Sequence, residues 1–318
     1  MALESPEVRS PMPSKPGEGL GMTAASTQRS QRLSLALPRL LEGDDRVRAT
    51  EAIAFPFEEV LRSKRCFLRA AWTLNRQGVI LLKGAASADL VDALNRRVAQ
   101  LLEDASQPER SGIDAIAYLN LPDRRVLKGY NTFVDADRPV INFRVERPDG
   151  RSGSDAGMVD IFHPERLSSE MNELIHGCLH EKQVRRLVMA SCLTPLRVKC
   201  RNLYVNRGVQ DTRGFHCDGR SLKFKSFVFL SQVGSLDIGP YCYVPTSHRD
   251  RRSWKRSRAF NEQHGIGIYE YSQLDDTTAL PLFASPGDMV ISSQRGAHRG
   301  HPQSPDASRS VLVNMYQR

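Results

Sequence analysis

The C-terminal part of the chain, from residue 196 onward, is a succession of short β-type segments separated by Gly, Pro and Asp. These segments are rich in β-branched and aromatic residues, which favour pleated strands. They span 196–200, 202–206, 224–230, 242–244, 288–292 and 310–316. Many short strands without interleaved helices are typical of an antiparallel sandwich or barrel. We therefore predict a mainly β core over residues 195–318, with flanking helices.

The preceding region has helical periodicity and predicts a supporting layer over residues 55–190. Apolar residues recur at helical spacing from Phe57 to Trp72, and the pattern ends at Gly78. A short buried strand is predicted at 79–82, and Ser87 is a suitable N-cap for the amphipathic helix that follows. A further strand is predicted at 140–144, and helices at 167–178 and 181–191.

Composition sets the domain boundaries and the class of protein. Residues 1–45 are rich in Ser, Pro and Gly, so we predict a disordered N-terminal segment followed by a single domain over 46–318. No apolar run approaches the ~18 residues of a transmembrane helix, and no signal-peptide pattern opens the chain. Six cysteines without a C-x-x-C motif predict reduced thiols and a cytoplasmic protein.

The most informative polar motif is the pair His216 and Asp218, which lies between two predicted strands. Side chains two residues apart can converge on one point in an extended strand end or a tight turn. An imidazole and a carboxylate make up two thirds of a 2-His-1-carboxylate facial triad, which binds Fe(II) and leaves coordination positions open. The pair therefore predicts part of a metal site.

Two histidines after the strand at 288–292 can supply the second imidazole. His298 and His301 both lie on a Gly-rich turn, where a side chain can point back into a barrel mouth. His298 precedes Arg309 by eleven residues and His301 precedes it by eight. A guanidinium at Arg309 can clamp the far carboxylate of a dicarboxylate. This spacing favours His298 as the ligand, with His301 as the alternative.

Two other ligand-like pairs compete with this site. His248 and Asp250 form a second H-x-D, but it opens the basic run 249–258, which would repel Fe(II) and draw Asp250 into ion pairs. His163 and Glu165 precede a predicted helix, where Pro and Glu suit the first turn. Both pairs are better explained as structural.

From about residue 78 to its end the chain resembles the phytanoyl-CoA dioxygenase family of Fe(II)- and 2-oxoglutarate-dependent oxygenases. The matching pieces are the strand at 78–84, His216-Cys-Asp218, Gly239-Pro-Tyr-Cys-Tyr-Val-Pro-Thr-Ser-His248, Pro286-Gly-Asp288, His298 and Arg309. The resemblance implies a double-stranded β-helix (jelly-roll, cupin-like) core. It implies His216, Asp218 and His298 as iron ligands, with Arg309 and Tyr204 binding 2-oxoglutarate and Asn206 as a weaker candidate. It places His248 in a structural turn.

The resemblance also implies the reaction: O2 and 2-oxoglutarate are consumed, succinate and CO2 are released, and a C–H bond of a substrate is hydroxylated. Related halogenases have Ala or Gly at the place of Asp218, so the carboxylate favours hydroxylation or desaturation. Two positions depart from the family: Gly300 replaces a small hydroxyl residue, and the aromatic residue usual on the strand after H-x-D has no counterpart nearer than Leu230.

The substrate class stays open at this point. The net charge of +9 and the basic run 249–258 suit an anionic small molecule, or one linked to CoA or an acidic carrier protein. A solvated charged helix face around Trp254 explains the same run. Asn142 and Arg144 are further candidates to face the substrate. The alternative function is a non-catalytic basic binding module on the same barrel, although nucleic acid is disfavoured because interleaved aromatic residues are lacking. A cupin-like isomerase is disfavoured because no H-x-H motif occurs.

Overall fold

Two β-sheets form the centre of the molecule in the computed structural model, which describes residues 35–110, 118–120, 123–129, 138–147, 149–275 and 277–318. The strands are β1 (Arg39–Leu40), β2 (Ala54–Pro56), β3 (Val79–Lys83), β4 (Tyr118–Asn120), β5 (Arg125–Lys128), β6 (Val140–Phe143), β7 (Met158–Phe162), β8 (Arg197–Arg207), β9 (Lys223–Phe229), β10 (Tyr241–Tyr243), β11 (Thr278–Leu282), β12 (Met289–Ser293), β13 (His298–Gly300) and β14 (Ser308–Gln317).

The helices of the described residues lie mostly before the strands of the C-terminal part. They are α1 (Gly43–Glu51), α2 (Phe57–Arg62), α3 (Lys64–Gln77), α4 (Ala88–Arg110), α5 (Ser169–Leu179), α6 (Glu181–Cys192) and α7 (Arg251–His264). No helix in this part of the chain combines the length and apolar composition needed to span a bilayer.

The larger sheet has the order β2-β3-β12-β9-β14-β8-β7-β6-β5-β4, and the smaller one the order β1-β11-β10-β13. Successive side chains of a strand point to opposite faces of the sheet, so the central strands contribute residues to two hydrophobic cores. On β14, Leu312 and Tyr316 pack against α3, α4, α5 and α6, whereas Val311 and Val313 face the smaller sheet. The fold is therefore sheet-rich with flanking helices, as predicted, and its two sheets are separate.

Local signals place several elements correctly. Helix α3 ends at Gly78, which adopts a left-handed conformation (φ 79°), and the Ser87 hydroxyl accepts a hydrogen bond from the Leu90 amide at the start of α4. The predicted helices at 167–178 and 181–191 correspond to α5 and α6. The segments predicted at 196–200 and 202–206 are a single strand, β8, because β14 pairs along its whole length with one register shift.

Three expectations need correction. Residues 35–45 are not part of a disordered segment, since Arg39 and Leu40 pair with β11 and helix α1 follows directly; residues 1–34 lie outside the described residues. The helical stripe of 57–72 is only partly core, because Leu68 and Trp72 are 64% and 62% exposed. The strands of the C-terminal part are interrupted by helix α7, which the sequence predicted only as an alternative.

Candidate metal centre

The 214–219 loop and strand β13 bring the predicted ligands together through backbone pairing. The His216 amide donates to the His298 carbonyl at 3.0 Å, and the His298 amide donates back at 2.9 Å, so the two residues form an antiparallel bridge. The Asp218 amide donates to the Gln294 carbonyl at 2.9 Å. Because β13 also pairs with β10, the position of His298 is set from both sides.

The side chains of these three residues converge on one point. His216 Nε2 and His298 Nε2 lie 3.8 Å and 3.9 Å from Asp218 Oδ1. A ligand atom of each residue lies within 4.8 Å of the others, and this is the one such group of His, Cys, Asp or Glu found among the described residues. Two bonds of about 2.0–2.2 Å from one transition metal span up to about 4.4 Å, so the separations of 3.8 Å and 3.9 Å let one cation contact each imidazole nitrogen together with the carboxylate oxygen.

The protonation states suit metal binding. Nδ1 of His216 lies 2.8 Å from the Gly214 carbonyl, and Nδ1 of His298 lies 3.0 Å from the Gly296 carbonyl. A carbonyl accepts only from a protonated nitrogen, so both Nδ1 atoms carry the proton and both Nε2 lone pairs point to the shared site. Burial lowers the pKa of both imidazoles, which keeps them neutral.

Asp218 is held as a carboxylate. Burial alone would raise its pKa, but the ammonium of Lys225 brings the pKa well below its ordinary value. Lys225 Nζ lies 2.7 Å from Asp218 Oδ2, the oxygen that faces away from the two histidines. Lys225 was not predicted as a site residue. Its only sequence signal is a charge within the apolar strand 224–230.

A cavity of about 350 Å³ opens at this site, and it contains all the predicted site residues: His216, Asp218, His298, Arg309 and Tyr204. Asn206 and Arg144 also line it, whereas the fully buried Asn142 does not. Arg144 pairs with Asp160 at 2.7 Å. Strand β8 contributes Tyr204, and β14 contributes Arg309, which is in register with Asn206.

Arg309 differs from the other cations of the cavity because it forms no ion pair with a described residue. Its Nη1 donates to the Gly239 carbonyl, and its Nε is buried without a hydrogen-bond partner. Burial lowers its pKa to about 10, so the guanidinium still carries its charge at neutral pH. The phenol of Tyr204 accepts a hydrogen bond from the Asn202 amide at 3.1 Å.

The competing histidines have structural partners elsewhere. His248 Nε2 lies 3.0 Å from the Asn75 carbonyl, and Asp250 is the N-cap of α7. Glu165 pairs with Arg201 at 3.1 Å and lies 3.4 Å from His163 Nδ1. His301 lies three residues beyond His298 and is not among the residues that line the cavity.

The two departures from the family pattern concern positions at or near the cavity. Gly300 lines it, and a Cβ added there would lie 3.6 Å from Arg309 Nη2, which is an ordinary van der Waals contact. On the strand after H-x-D, Phe227 and Phe229 line the cavity together with Lys225. Phe224 of the same strand packs in the core on the helix side of the sheet, and so does Leu230, the nearest position found in the sequence.

The basic run 249–258 is largely the surface of helix α7. Arg256 pairs with Asp275 at 2.9 Å and Arg258 with Glu262 at 2.8 Å. Trp254 stacks on Tyr269 with ring centroids 6.3 Å apart. Ion pairs within the protein thus neutralise part of the positive charge that was predicted to bind an anionic substrate.

Comparison with known proteins gives a family and a set of similar folds. The family model described as phytanoyl-CoA dioxygenase matches residues 74–311. No curated protein sequence matches the chain significantly. The epimerase SnoN, solved in complex with Fe3+, alpha ketoglutarate and nogalamycin RO, aligns with a TM-score of 0.50 at 14% identity, over 80% of this chain and 84% of that one.

Two further solved structures align over a similar extent. AviO1 from Streptomyces viridochromogenes has 18% identity and a TM-score of 0.48, over 78% of this chain and 93% of AviO1. EctD from S. alaskensis with bound Fe has 17% identity and a TM-score of 0.48, over 78% of this chain and 75% of EctD. The family model, in contrast, covers most of the chain and includes His216, Asp218 and His298. The chain belongs to the phytanoyl-CoA dioxygenase family.

Proposed function

We propose that the protein is an Fe(II)- and 2-oxoglutarate-dependent oxygenase that hydroxylates an unactivated C–H bond of a small molecule, on a jelly-roll core. The observation that carries this proposal is the convergence of two imidazole Nε2 atoms and one carboxylate oxygen within 4.8 Å. Two histidines and one carboxylate on one face of a metal are the ligand set of non-haem Fe(II) oxygenases. SnoN has a similar fold and binds Fe3+ and alpha ketoglutarate.

The chain's own residues fit an Fe(II) ion. His216 and His298 are buried, neutral and fixed in the tautomer that exposes Nε2, and Asp218 is ionised. A neutral imidazole and a carboxylate bind a divalent cation without losing a proton first. The carbonyls of Gly214 and Gly296 orient the rings, as hydrogen-bond acceptors behind metal-binding histidines do.

The cavity also fits 2-oxoglutarate, a dicarboxylate. One carboxylate would approach the iron together with the keto oxygen. The other would reach Arg309, whose Nε is buried without a hydrogen-bond partner and whose charge is not paired with an acidic group of the described residues. Tyr204 lines the same cavity, and its hydroxyl can donate a second hydrogen bond to that carboxylate. Charge pairing and hydrogen bonding thus select a ligand with an anion at each end.

With O2, iron and 2-oxoglutarate supply the oxidising chemistry, and succinate and CO2 are released. The protein's part is to hold the metal, to orient the cosubstrate and to exclude water. Phe227, Phe229 and Val311 give the cavity an apolar wall, which favours a C–H bond facing the metal. The carboxylate of Asp218 occupies the place that halide-binding relatives leave free, so hydroxylation is proposed, with desaturation as the variant of the same reaction.

The substrate is proposed to be a small molecule. Arg144, Arg213 and Lys225 line the cavity but pair with Asp160, Glu270 and Asp218. Among the described residues Arg309 is the remaining cation of the cavity, and it is assigned to 2-oxoglutarate. A substrate linked to CoA or to a carrier protein would place its anionic part outside the cavity, and the surface of α7 is the candidate to receive it. Measuring succinate release over a library of free, CoA-linked and carrier-linked compounds tests this choice.

The experiment that tests the function compares Asp218→Ala with Asp250→Ala. Both substitutions remove the carboxylate of an H-x-D pair, but Asp250 caps α7 and does not belong to the metal group. We expect Asp218→Ala to lose stoichiometric Fe(II) binding and 2-oxoglutarate-dependent succinate formation. Asp250→Ala should keep both and lose only about 1 kcal/mol of stability. Succinate formation by Asp218→Ala at the wild-type rate would refute the proposed function.

A further inference from the structure

Lys225 lies beside the proposed iron ligand Asp218 and has no role in the function proposed above. It is on β9, where every second side chain (Lys225, Phe227 and Phe229) lines the cavity. Its side chain is 18% exposed, and its Nζ lies 2.7 Å from Oδ2 of Asp218. The other oxygen of the carboxylate, Oδ1, faces the two imidazoles at 3.8 Å and 3.9 Å. The two oxygens of Asp218 therefore have different partners.

Folding does not require an ion pair at this position. Replacement of both members of a buried ion pair by well-packed apolar residues is often neutral or stabilising, because both charges lose their hydration on burial. Phe227 and Phe229 on the same face of β9 show that this side of the strand packs apolar residues well. At 2.7 Å, the contact between Lys225 Nζ and Asp218 Oδ2 has the length of a charge-assisted hydrogen bond.

The contact between Lys225 and Asp218 matters because the metal has a limited number of coordination positions. Two histidines and one carboxylate oxygen leave three positions of an octahedral ion free. A 2-oxoglutarate molecule that binds through two oxygens leaves one. Carboxylates can also bind a metal through both oxygens, as they do in calcium sites. If Asp218 did so, it would take the last position.

We propose that Lys225 is a positioning residue that holds Oδ2 of Asp218 and so restricts this ligand to one oxygen, which keeps the last position open. This inference rests on the proposed function. It assigns Lys225 to the chemistry of the open position and not to binding of the metal or of the cosubstrate. Loss of Lys225 therefore weakens binding at the open position and leaves the two earlier steps, binding of the metal and binding of 2-oxoglutarate, intact.

The test uses nitric oxide as a probe of the open position in the full-length protein, under anaerobic conditions with Fe(II) and 2-oxoglutarate. Lys225→Met removes the cation and keeps an unbranched side chain. Lys223→Met is the matched control, because Lys223 is on the same strand and its Nζ donates to the backbone carbonyl of Asp218 at 2.9 Å, not to its carboxylate. Lys225→Arg restores a cation. The readouts are the Fe(II) dissociation constant, the charge-transfer band of the 2-oxoglutarate complex, and nitric oxide affinity by EPR.

We expect Lys225→Met to bind Fe(II) at least as tightly as the wild type and to keep the charge-transfer band. Its affinity for nitric oxide should fall at least tenfold. Lys223→Met should match the wild type, and Lys225→Arg should recover a large part of the affinity. Unchanged nitric oxide binding in Lys225→Met refutes the proposal, and so does a loss of Fe(II) binding, which would indicate a merely structural role. If the Met variant does not fold, Lys225→Gln is measured in the same way.

Measurements on the wild type distinguish failure of the inference about Lys225 from failure of the proposed function. A wild type that binds neither Fe(II) nor 2-oxoglutarate overturns the function and this inference with it. A wild type that binds both, with Lys225→Met indistinguishable from it in nitric oxide affinity, overturns the role of Lys225 alone.

Discussion

Replacement of Arg309 by Met is expected to make the protein more stable and its cosubstrate binding weaker. Arg309 is a buried cation without an ion pair among the described residues, and its Nε has no hydrogen-bond partner. A charge kept in such a place costs folding free energy. It is retained, on our proposal, because 2-oxoglutarate supplies the missing anion.

The size of the expected change in stability follows from the pKa of Arg309. Burial lowers the pKa of Arg309 from 12.5 to about 10. Each pKa unit corresponds to about 1.4 kcal/mol, so the charged form is destabilised by roughly 3 kcal/mol in the folded protein. Loss of the hydrogen bond to the Gly239 carbonyl costs about 1 kcal/mol in the opposite direction. The free energy of unfolding of Arg309→Met without ligand should therefore rise by about 2 kcal/mol.

Binding of 2-oxoglutarate by Arg309→Met should become weaker. Removal of one partner from a buried, hydrogen-bonded charge pair costs about 2–5 kcal/mol, which is at least a thirtyfold loss of affinity for 2-oxoglutarate. The same loss of affinity appears in stability, because a ligand that binds only the folded state stabilises it by RT ln(1 + c/Kd), where c is the free ligand concentration. With Fe(II) present throughout, addition of 2-oxoglutarate should raise the stability of the wild type and raise that of the variant much less.

Arg144→Met is the matched control, since Arg144 is also a buried arginine of the cavity but pairs with Asp160 at 2.7 Å. Asp160 is 1% exposed, so removal of the Arg144 guanidinium takes a compensating cation from a buried carboxylate and should cost about 3–5 kcal/mol. Urea unfolding of both variants, with and without 2-oxoglutarate under anaerobic conditions, gives the comparison. An Arg309→Met protein that is less stable than the wild type without ligand, or that binds 2-oxoglutarate equally well, would refute the reasoning.

Two further predictions concern the support of the site. Gly78→Ala should destabilise the protein by roughly 3 kcal/mol, because Gly78 has a φ of 79° and a Cβ there would overlap the His248 ring and the Tyr243 hydroxyl. Gly84→Ala, with a φ of 66° and open space around it, should cost about 1 kcal/mol, and thermal unfolding distinguishes the two. His248 has its pKa lowered to about 4 by burial, so the unfolded chain takes up a proton below pH 6.5 while the folded protein does not. The free energy of unfolding should fall by about 2 kcal/mol between pH 7 and pH 5 because of His248, and His248→Gln should abolish that part of the pH dependence in urea titrations at the two pH values.

Local chemistry in the sequence suffices to predict many of the elements around the site. The end of α3 at Gly78, the start of α4 after Ser87 and the existence of β9, β12 and β14 follow from left-handed glycine, from a capping hydroxyl and from β-branched runs. The pair of His216 and Asp218 is also visible, because its two side chains are close in sequence and their chemistry is specific to metal sites. These features depend on a few consecutive residues.

Other features depend on contacts between residues far apart in the chain. The choice of His298 over His301 is made by the backbone bridge between His298 and His216, which no local pattern contains. Lys225 reaches Asp218 only because β9 pairs with β12 and β14 in a register that turns it toward the cavity. Likewise, Leu68 and Trp72 follow helical periodicity yet are exposed, since packing against α6 and β3 decides which side of α3 is buried. Periodicity shows that a face exists, but only the tertiary structure determines what covers it.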